Sequence, residues 1–244
     1  MNKTVLITGS SRGIGKATAI AFADLGYSVV INYNNSKEEA LNLLHHIREK
    51  GVKAIAVKAN ISSRVEAEYL IETSMEQMGH IDILVNNAGI AQQKMFTDIT
   101  LDDWQKMFST NINGMFNCTQ LVIKDMINRK KGKIINISSI WGITGAACEV
   151  HYSASKAAVI GFTKALAKEM GPSGIQVNCI APGVIDTEMN ENLDEYTKNS
   201  LKEETPLGRI GLPEDIANTI LFLASEKADF ITGQTISPNG GFVI

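Results

Sequence analysis

The chain has 244 residues, 44% of them hydrophobic and 20% charged, and its 23 basic side chains against 26 acidic ones leave a net charge of −3. Such a balanced, apolar composition excludes a disordered chain, and the lack of a basic excess argues against nucleic acid as a partner. A chain of this length buries roughly three-quarters of its unfolded surface, so it needs no disulfide or metal staple.

Apolar runs of strand length alternate with amphipathic stretches of helix length. Lys3–Thr8 reads as a buried strand, Gly13–Leu25 as a helix and Val29–Tyr33 as a second strand. Ser36 and Glu39 form a capping-box pattern that opens a helix to Lys50, with Gly51 as its stop. Lys53–Lys58 is the third strand, Arg64–Met78 the third helix and Ile81–Val85 the fourth strand. One long helix is predicted over Leu101–Asn128, with Asn111, a poor helix former, marking a local irregularity. Lys133–Ser138, the helix Tyr152–Met170, Ile175–Ile180, the Pro-led helix Pro213–Ala224 and the short strand Thr235–Pro238 follow. This alternation predicts an α/β fold in a single domain: a doubly wound parallel sheet of Rossmann type, with right-handed crossovers and helices on both faces. The stretch Asp186–Gly208 breaks the alternation, is polar, and reads as an inserted mobile flap.

Cys118, Cys148 and Cys179 are widely spaced, as suits a reducing compartment, and His45, His46, His80 and His151 lack metal-ligand spacing, so no metal site is expected. The run Val5-Leu6-Ile7 is too short for a signal-peptide core, and no stretch approaches the ~18 apolar residues of a membrane span. The expectation is a cytoplasmic protein.

The first strand runs into Thr8-Gly9-Ser10-Ser11-Arg12-Gly13-Ile14-Gly15 and then a helix. Glycines there permit a tight turn and a close backbone approach to a pyrophosphate at the helix N-terminus. The second strand ends Ile31-Asn32-Tyr33-Asn34, without the carboxylate that usually holds a ribose 2′-hydroxyl. Arg12 can offer its donors to a 2′-phosphate instead, so NADP(H) is expected in preference to NAD(H). Tyr152 and Lys156, one helical turn apart, share a face. A neighbouring ammonium is expected to lower the phenol's pKa and make it a usable proton donor to a carbonyl oxygen. Ser139, thirteen residues upstream at the end of the fifth strand, can hydrogen-bond the same oxygen.

The set Thr8-Gly9-x-x-x-Gly13-Ile14-Gly15, Asn86-Asn87-Ala88-Gly89, Asn111, Ser139, Tyr152-x-x-x-Lys156 and Pro182-Gly183 followed by Thr187 spans nearly the whole chain and resembles the short-chain dehydrogenase/reductase family. Phrases such as Phe116-Asn117-Cys118-Thr119 and Phe222-Leu223-Ala224-Ser225 are most similar to its reductases of 3-oxoacyl groups on acyl carrier protein. The resemblance implies hydride transfer to a ketone. Tyr152 would donate the proton, Lys156 hold the nicotinamide ribose, Ser139 orient the carbonyl and Asn111 support a water. Cofactor contacts are implied at Gly9, Ser11, Arg12, Gly13, Ile14, Gly15, Asn32, Asn60, Ile61, Asn86, Ala88, Gly89, Pro182, Gly183, Ile185 and Thr187, besides Tyr152 and Lys156. Asn60 stands where the family commonly has Asp, but keeps an acceptor. Substrate contacts are expected from Ser139, Trp141, Cys148, Glu149 and Tyr152.

The substrate itself stays open. The basic turn Arg129-Lys130-Lys131-Gly132-Lys133 could dock an acidic carrier protein or simply be a solvated helix end. Against docking, Ser173 stands where such reductases often carry a basic residue. The flap, with Glu188, Glu191, Asp194, Glu195, Glu203 and Glu204 against Lys198 and Lys202, would either welcome a cationic ketone or simply keep a mobile segment soluble. Some relatives reduce a protein-attached, lysine-derived aminoketone. An alternative of another class is a dinucleotide-binding regulator without turnover, although all four catalytic positions are filled. Apolar helix faces and the apolar tail Gly241-Phe242-Val243-Ile244 suggest a homotetramer.

Overall fold

The computed structural model describes residues 3–190 and 194–244. Seven parallel strands lie in the order β3-β2-β1-β4-β5-β6-β7. They are β1 (Thr4–Ile7), β2 (Ser28–Tyr33), β3 (Ala54–Lys58), β4 (Ile83–Asn86), β5 (Gly132–Ile137), β6 (Ile175–Ile180) and β7 (Thr235–Ile236). The helices are α1 (Gly13–Asp24), α2 (Lys37–Glu49), α3 (Arg64–Met78), α4 (Leu101–Phe108), α5 (Gly114–Arg129), α6 (Trp141–Thr144), α7 (Val150–Met170), α8 (Glu195–Glu204) and α9 (Pro213–Ala224).

Period-two alternation in each strand supplies both faces of the sheet. Val5, Ile7, Val29 and Ile31 pack with Phe22 of α1, Leu43 of α2 and Ile216 of α9 on one side. Leu6, Val30, Leu84 and Ile134 pack with Leu70 of α3, Val122 of α5 and Ala167 of α7 on the other. The chain leaves β1 towards β2 and β3 and later continues from β4 in the opposite direction, so the loops after β1 and β4 part at a crevice. Every strand's C-terminal end faces that edge.

Predicted boundaries agree with the observed ones to within two residues, with a few exceptions. The long helix is two helices, α4 and α5, joined by a π turn over Ser109–Asn113 that contains Asn111, the anticipated irregularity. The Ser36/Glu39 capping box does not form: Ser36, at ψ 70, makes no side-chain cap hydrogen bond, because its backbone departs from the extended form that aims the hydroxyl at the third amide. The stretch read as an inserted mobile flap, with no element assigned to it, contains α8, N-capped by Asp194, which accepts from the Thr197 amide at 2.7 Å. α8 buries none of its residues, so it has no apolar periodicity to display. Residues 191–193 of that stretch, Glu191 included, lie outside the described residues.

Candidate active site

The loop after β1 is held by its neighbours. Gly9 has φ +62, and a Cβ there would lie 2.9 Å from Ala88 Cα. The loops after β1 and β4 therefore touch backbone to backbone at this position. Thr8 Oγ1 accepts from the amides of Asn87 and Ala88 at 3.0 and 3.1 Å, and Asn87 Nδ2 donates to the carbonyls of Thr8 and Gly9 at 3.0 Å. A Cβ on Gly15 would come within 2.6 Å of the Gly9 carbonyl, so α1 also begins as close to the turn as glycine allows. Thr187 overhangs the loop, with its Cγ2 3.3 Å from the Cβ position of Gly13. Arg12, just before α1, is exposed.

At the end of β5 and the start of α7, Ser139, Tyr152, Lys156 and Asn111 gather, all buried. Tyr152 and Ser139 hydrogen-bond through their side chains, and the Trp141 amide donates to Ser139 Oγ at 3.2 Å. Lys156 Nζ donates to the Ile137 carbonyl at 2.9 Å. The π turn aims Asn111 inward, where Oδ1 accepts from the Ile90 amide (2.9 Å) and Nδ2 donates to the Ile90 carbonyl and Ser155 Oγ (both 3.0 Å). Gly89 leaves room between them: a Cβ there would be 3.2 Å from both Asn111 Oδ1 and Lys156 Nζ.

The protonation states differ from expectation. Burial pushes the Tyr152 phenol up to about 12, with Ser139 pulling it down and Glu149 adding to the rise. Burial lowers Lys156 to about 8. Desolvation outweighs the predicted effect of the lysine on the tyrosine, because the ammonium faces a main-chain carbonyl rather than the phenol oxygen. The phenol thus holds its proton at neutral pH, the form a proton donor needs.

Several of the predicted cofactor contacts also make bonds or packing contacts within the fold. Asn32 is 2% exposed, and its amide is spent within the fold: Oδ1 accepts from the Gly9 amide at 3.1 Å, and Nδ2 donates to the Val57 and Ala59 carbonyls at 3.4 and 3.0 Å. It supports the glycine loop from beneath. Asn86 turns its Nδ2 towards Thr119 and Asn136 under the sheet edge. The acceptor of Asn60 is occupied by the Ser62 amide and hydroxyl. The Ile185 side chain is in the core, and its carbonyl accepts from Asn190. Pro182 and Gly183 lie at the catalytic edge but pair with Ile140 and with Pro238 of the C-terminal segment. Ser11 is buried, and Ile14 packs on the core. Ile61 is buried against Gly114.

Among the predicted substrate residues, Trp141 packs edge-on against Phe242 at 5.9 Å, so the apolar tail folds back onto this loop. Cys148 is exposed at φ 60, with its sulfur 3.4 Å from that of Met95. Glu149 is half-buried and accepts from Gln93 Nε2 at 3.2 Å. The basic turn lies at the opposite edge, where β5 begins. There Arg129 is bound by Asp82 and Asp125, and Lys133 by Asp229. Sequence reasoning missed the bracing roles of Thr8, Asn87, Ser155 and Gln92, although Thr8 and Asn87 stand within the quoted motifs.

A parallel α/β sheet with a glycine turn at its switch point, and a tyrosine, serine and lysine on the same edge, defines a dinucleotide-dependent oxidoreductase. The family model of short chain dehydrogenases matches residues 3–198. The chain belongs to the short-chain dehydrogenase family, whose enzymes use a nicotinamide dinucleotide. It is 44% identical over 241 residues to "3-oxoacyl-[acyl-carrier-protein] reductase FabG" of Staphylococcus epidermidis, covering 99% of both chains. It is 45% identical to the 3-oxoacyl-[acyl-carrier-protein] reductase of Synechocystis, covering 99% of this chain and 97% of the relative. The crystal structure of the 3-oxoacyl-[acyl-carrier protein] reductase from Brucella melitensis superposes with a TM-score of 0.93 at 33% identity, over 99% of this chain and 92% of that one.

Proposed function

We propose that the protein reduces 3-oxoacyl thioesters carried on acyl carrier protein to 3-hydroxyacyl thioesters, with NADPH as the preferred dinucleotide. The observation that carries this reading is the meeting of Tyr152, Ser139 and Lys156 at the edge where the glycine loop opens. The names of the relatives at 44% and 45% identity support the substrate class.

The residues fit a dinucleotide. Gly9, Gly13 and Gly15 form a cradle in which added Cβ atoms would meet Ala88, Thr187 and the Gly9 carbonyl. The end of β2 lacks a carboxylate and Arg12 before α1 is exposed, which supports recognition of a 2′-phosphate. When bound, the nicotinamide supplies a hydride to the carbonyl carbon. The chain supplies orientation and a proton. Ser139 and Tyr152 hold the carbonyl oxygen between two hydroxyls, and Tyr152 gives its proton to that oxygen as negative charge builds on it. Lys156 holds the ribose and replaces the lost proton, for which a pKa near 8 is well matched. Both ends of the Asn111 amide are engaged, so its part is to brace Ile90 and Ser155 beside the lysine. The whole chain acts as one catalytic domain, with Thr187 over the glycine turn. Exposed Leu101, Trp104 and Phe116 on α4 and α5 support assembly with further copies. Among the described residues, no helix is long and apolar enough to cross a membrane.

The test is NADPH oxidation by purified protein with a carrier-bound 3-oxoacyl group, a small 3-oxoacyl thioester and a cationic aminoketone. Fastest turnover on the carrier-bound substrate is expected. Preference for the cationic ketone would overturn the substrate assignment, and binding of NADPH without turnover on any of the three would favour a regulator.

A further inference from the structure

α7 begins without a cap of its own: Glu149, the residue before its first turn, makes no side-chain capping hydrogen bond. Tyr152 stands in that first turn, where helices fray soonest. Proton transfer, however, tolerates little displacement of the donor. The end of the helix is instead held from the side by the segment that follows β4. The Lys94 amide donates to the Cys148 carbonyl at 2.7 Å, Gln93 Nε2 donates to Glu149 at 3.2 Å, and the His151 ring meets Gln92 Oε1 at 2.9 Å. His151 is fully buried.

The polarity of the last contact follows from the far end of the chain of bonds. Lys94 and Thr100 hold the Asp103 carboxyl well below the usual carboxylate range, so it only accepts. Its Oδ2 takes hydrogen bonds from Lys94 Nζ at 2.7 Å, the Thr100 amide at 3.0 Å and the Thr100 hydroxyl at 2.8 Å. Gln92 Nε2 donates to Oδ1 at 3.1 Å. The carbonyl of Gln92 must then face His151, whose Nε2 carries the hydrogen. Nδ1 is left bare, buried and without a partner. Burial lowers the imidazole's pKa, which keeps it neutral. One directed chain runs from His151 through Gln92 to the carboxylate that caps α4.

We propose that His151 is a positioning residue: as the neutral Nε2–H tautomer it pins the first turn of α7 to Gln92 and Asp103, and so keeps Tyr152 against Ser139. This rests on Tyr152 being the proton donor. An apolar side chain would fill the same space but would leave Gln92 Oε1 unpaired and remove the one tether that acts within the turn itself.

A double-mutant cycle tests the inference, with kcat and KM measured for a 3-oxoacyl thioester and NADPH. His151→Leu and Gln92→Leu are each expected to lower kcat ~10-fold while KM and NADPH affinity stay within ~3-fold, and the double variant should be no slower than the slower single. His151→Asn, which keeps an N–H donor, should recover part of the rate. If His151→Leu does not fold, Gln92→Leu combined with His151→Asn closes the same cycle from a half-buried, tolerant position. Multiplying losses, or unchanged kcat in Gln92→Leu, overturns the proposal. Tyr152→Phe is the separate control. If it stays active, the assigned proton donor is wrong and His151 loses its role with it; if it is inactive while the losses multiply, only the positioning role of His151 falls.

Discussion

Lys156 Nζ stands 5.7 Å from the centre of the Tyr152 ring and gives its hydrogen bond to the Ile137 carbonyl. The two groups share a helix face, but burial is the largest influence on each. Burial moves the lysine down to about 8 and the tyrosine up to about 12, which separates them rather than bringing them together.

The two shifts have opposite consequences for stability. Folded Lys156 binds its proton less tightly than the unfolded side chain, whose value is 10.5. Between about pH 8 and that value the unfolded chain holds more protons, so stability rises with pH, and below pH 8 the cost of the buried ammonium is fully present. Tyr152 runs the other way: from its unfolded value of 10.0 up to about 12 the folded chain holds more protons, and stability falls. Urea midpoints of wild type minus Lys156→Met should therefore climb between about pH 8 and pH 10, and those of wild type minus Tyr152→Phe should decline above about pH 10. A flat difference for lysine would show that its ammonium is not desolvated in the folded chain.

Much of this was legible in the sequence because the signals are local. Glycines at fixed offsets after Val5-Leu6-Ile7, and apolar alternation in the strands, place the sheet and its cofactor edge without tertiary information. Asn111 announced the break in a long helix because its side chain is costly there unless used. What escaped the sequence depends on tertiary neighbours. Asn32 reads as a free polar group at a strand end, yet the glycine loop folds onto it. Nothing local tells that the Tyr152 site is dry enough for desolvation to outweigh a nearby cation. α8 was hidden because an exposed helix need not be amphipathic, and only the sheet order tells that the basic turn stands at the edge where β5 begins.

Close approach at Gly9 is a separate, testable requirement. Gly9 and Gly26 both have positive φ, at 62 and 78, but a Cβ at Gly26 meets nothing within 4 Å, whereas one at Gly9 meets Ala88 backbone at 2.9 Å. Gly26→Ala should cost only the left-handed backbone strain, about 1 kcal/mol. Gly9→Ala should cost that plus a shift of the two loops, about 1–3 kcal/mol more, and weaken dinucleotide binding at least ~10-fold. Denaturant melts and NADPH titration of both variants check it. Equal losses in the two would mean the loops after β1 and β4 are not in backbone contact.

Asn111 works at both ends of its amide, so variants that keep only one end should separate its parts. Asn111→Ala orphans the Ile90 amide and carbonyl, and about 2–4 kcal/mol of stability should go with them. Ser155→Ala removes one partner of the same nitrogen and should cost about 1 kcal/mol. Asn111→Asp keeps the acceptor for the Ile90 amide but sets a carboxylate against the Ile90 carbonyl, and it should destabilise at least as much as the alanine. Urea unfolding of the three orders them, and a near-neutral Asn111→Asp would contradict the assigned roles of its two ends.

The proposed preference for NADPH makes a prediction at Arg12. The residue is exposed immediately before α1, and β2 ends without an acid to hold a ribose hydroxyl or repel a phosphate. A charge-assisted contact to a 2′-phosphate is worth about 1.5–3 kcal/mol, so Arg12→Ala should raise the KM for NADPH by ~10–100-fold. The KM for NADH, which offers no phosphate at that position, should move less than ~3-fold, because the glycine turn and Thr187 are untouched. The rest of the difference belongs to the absent acid: Asn34→Asp in the Arg12→Ala background should lower NADPH use further and improve NADH use, since the carboxylate repels the phosphate and accepts from the free ribose hydroxyls. Kinetics with both dinucleotides in the single and double variants read the switch directly. Parallel loss of both cofactors in Arg12→Ala would mean that the arginine serves the loop's shape, and that the preference for NADPH must come from elsewhere in the crevice.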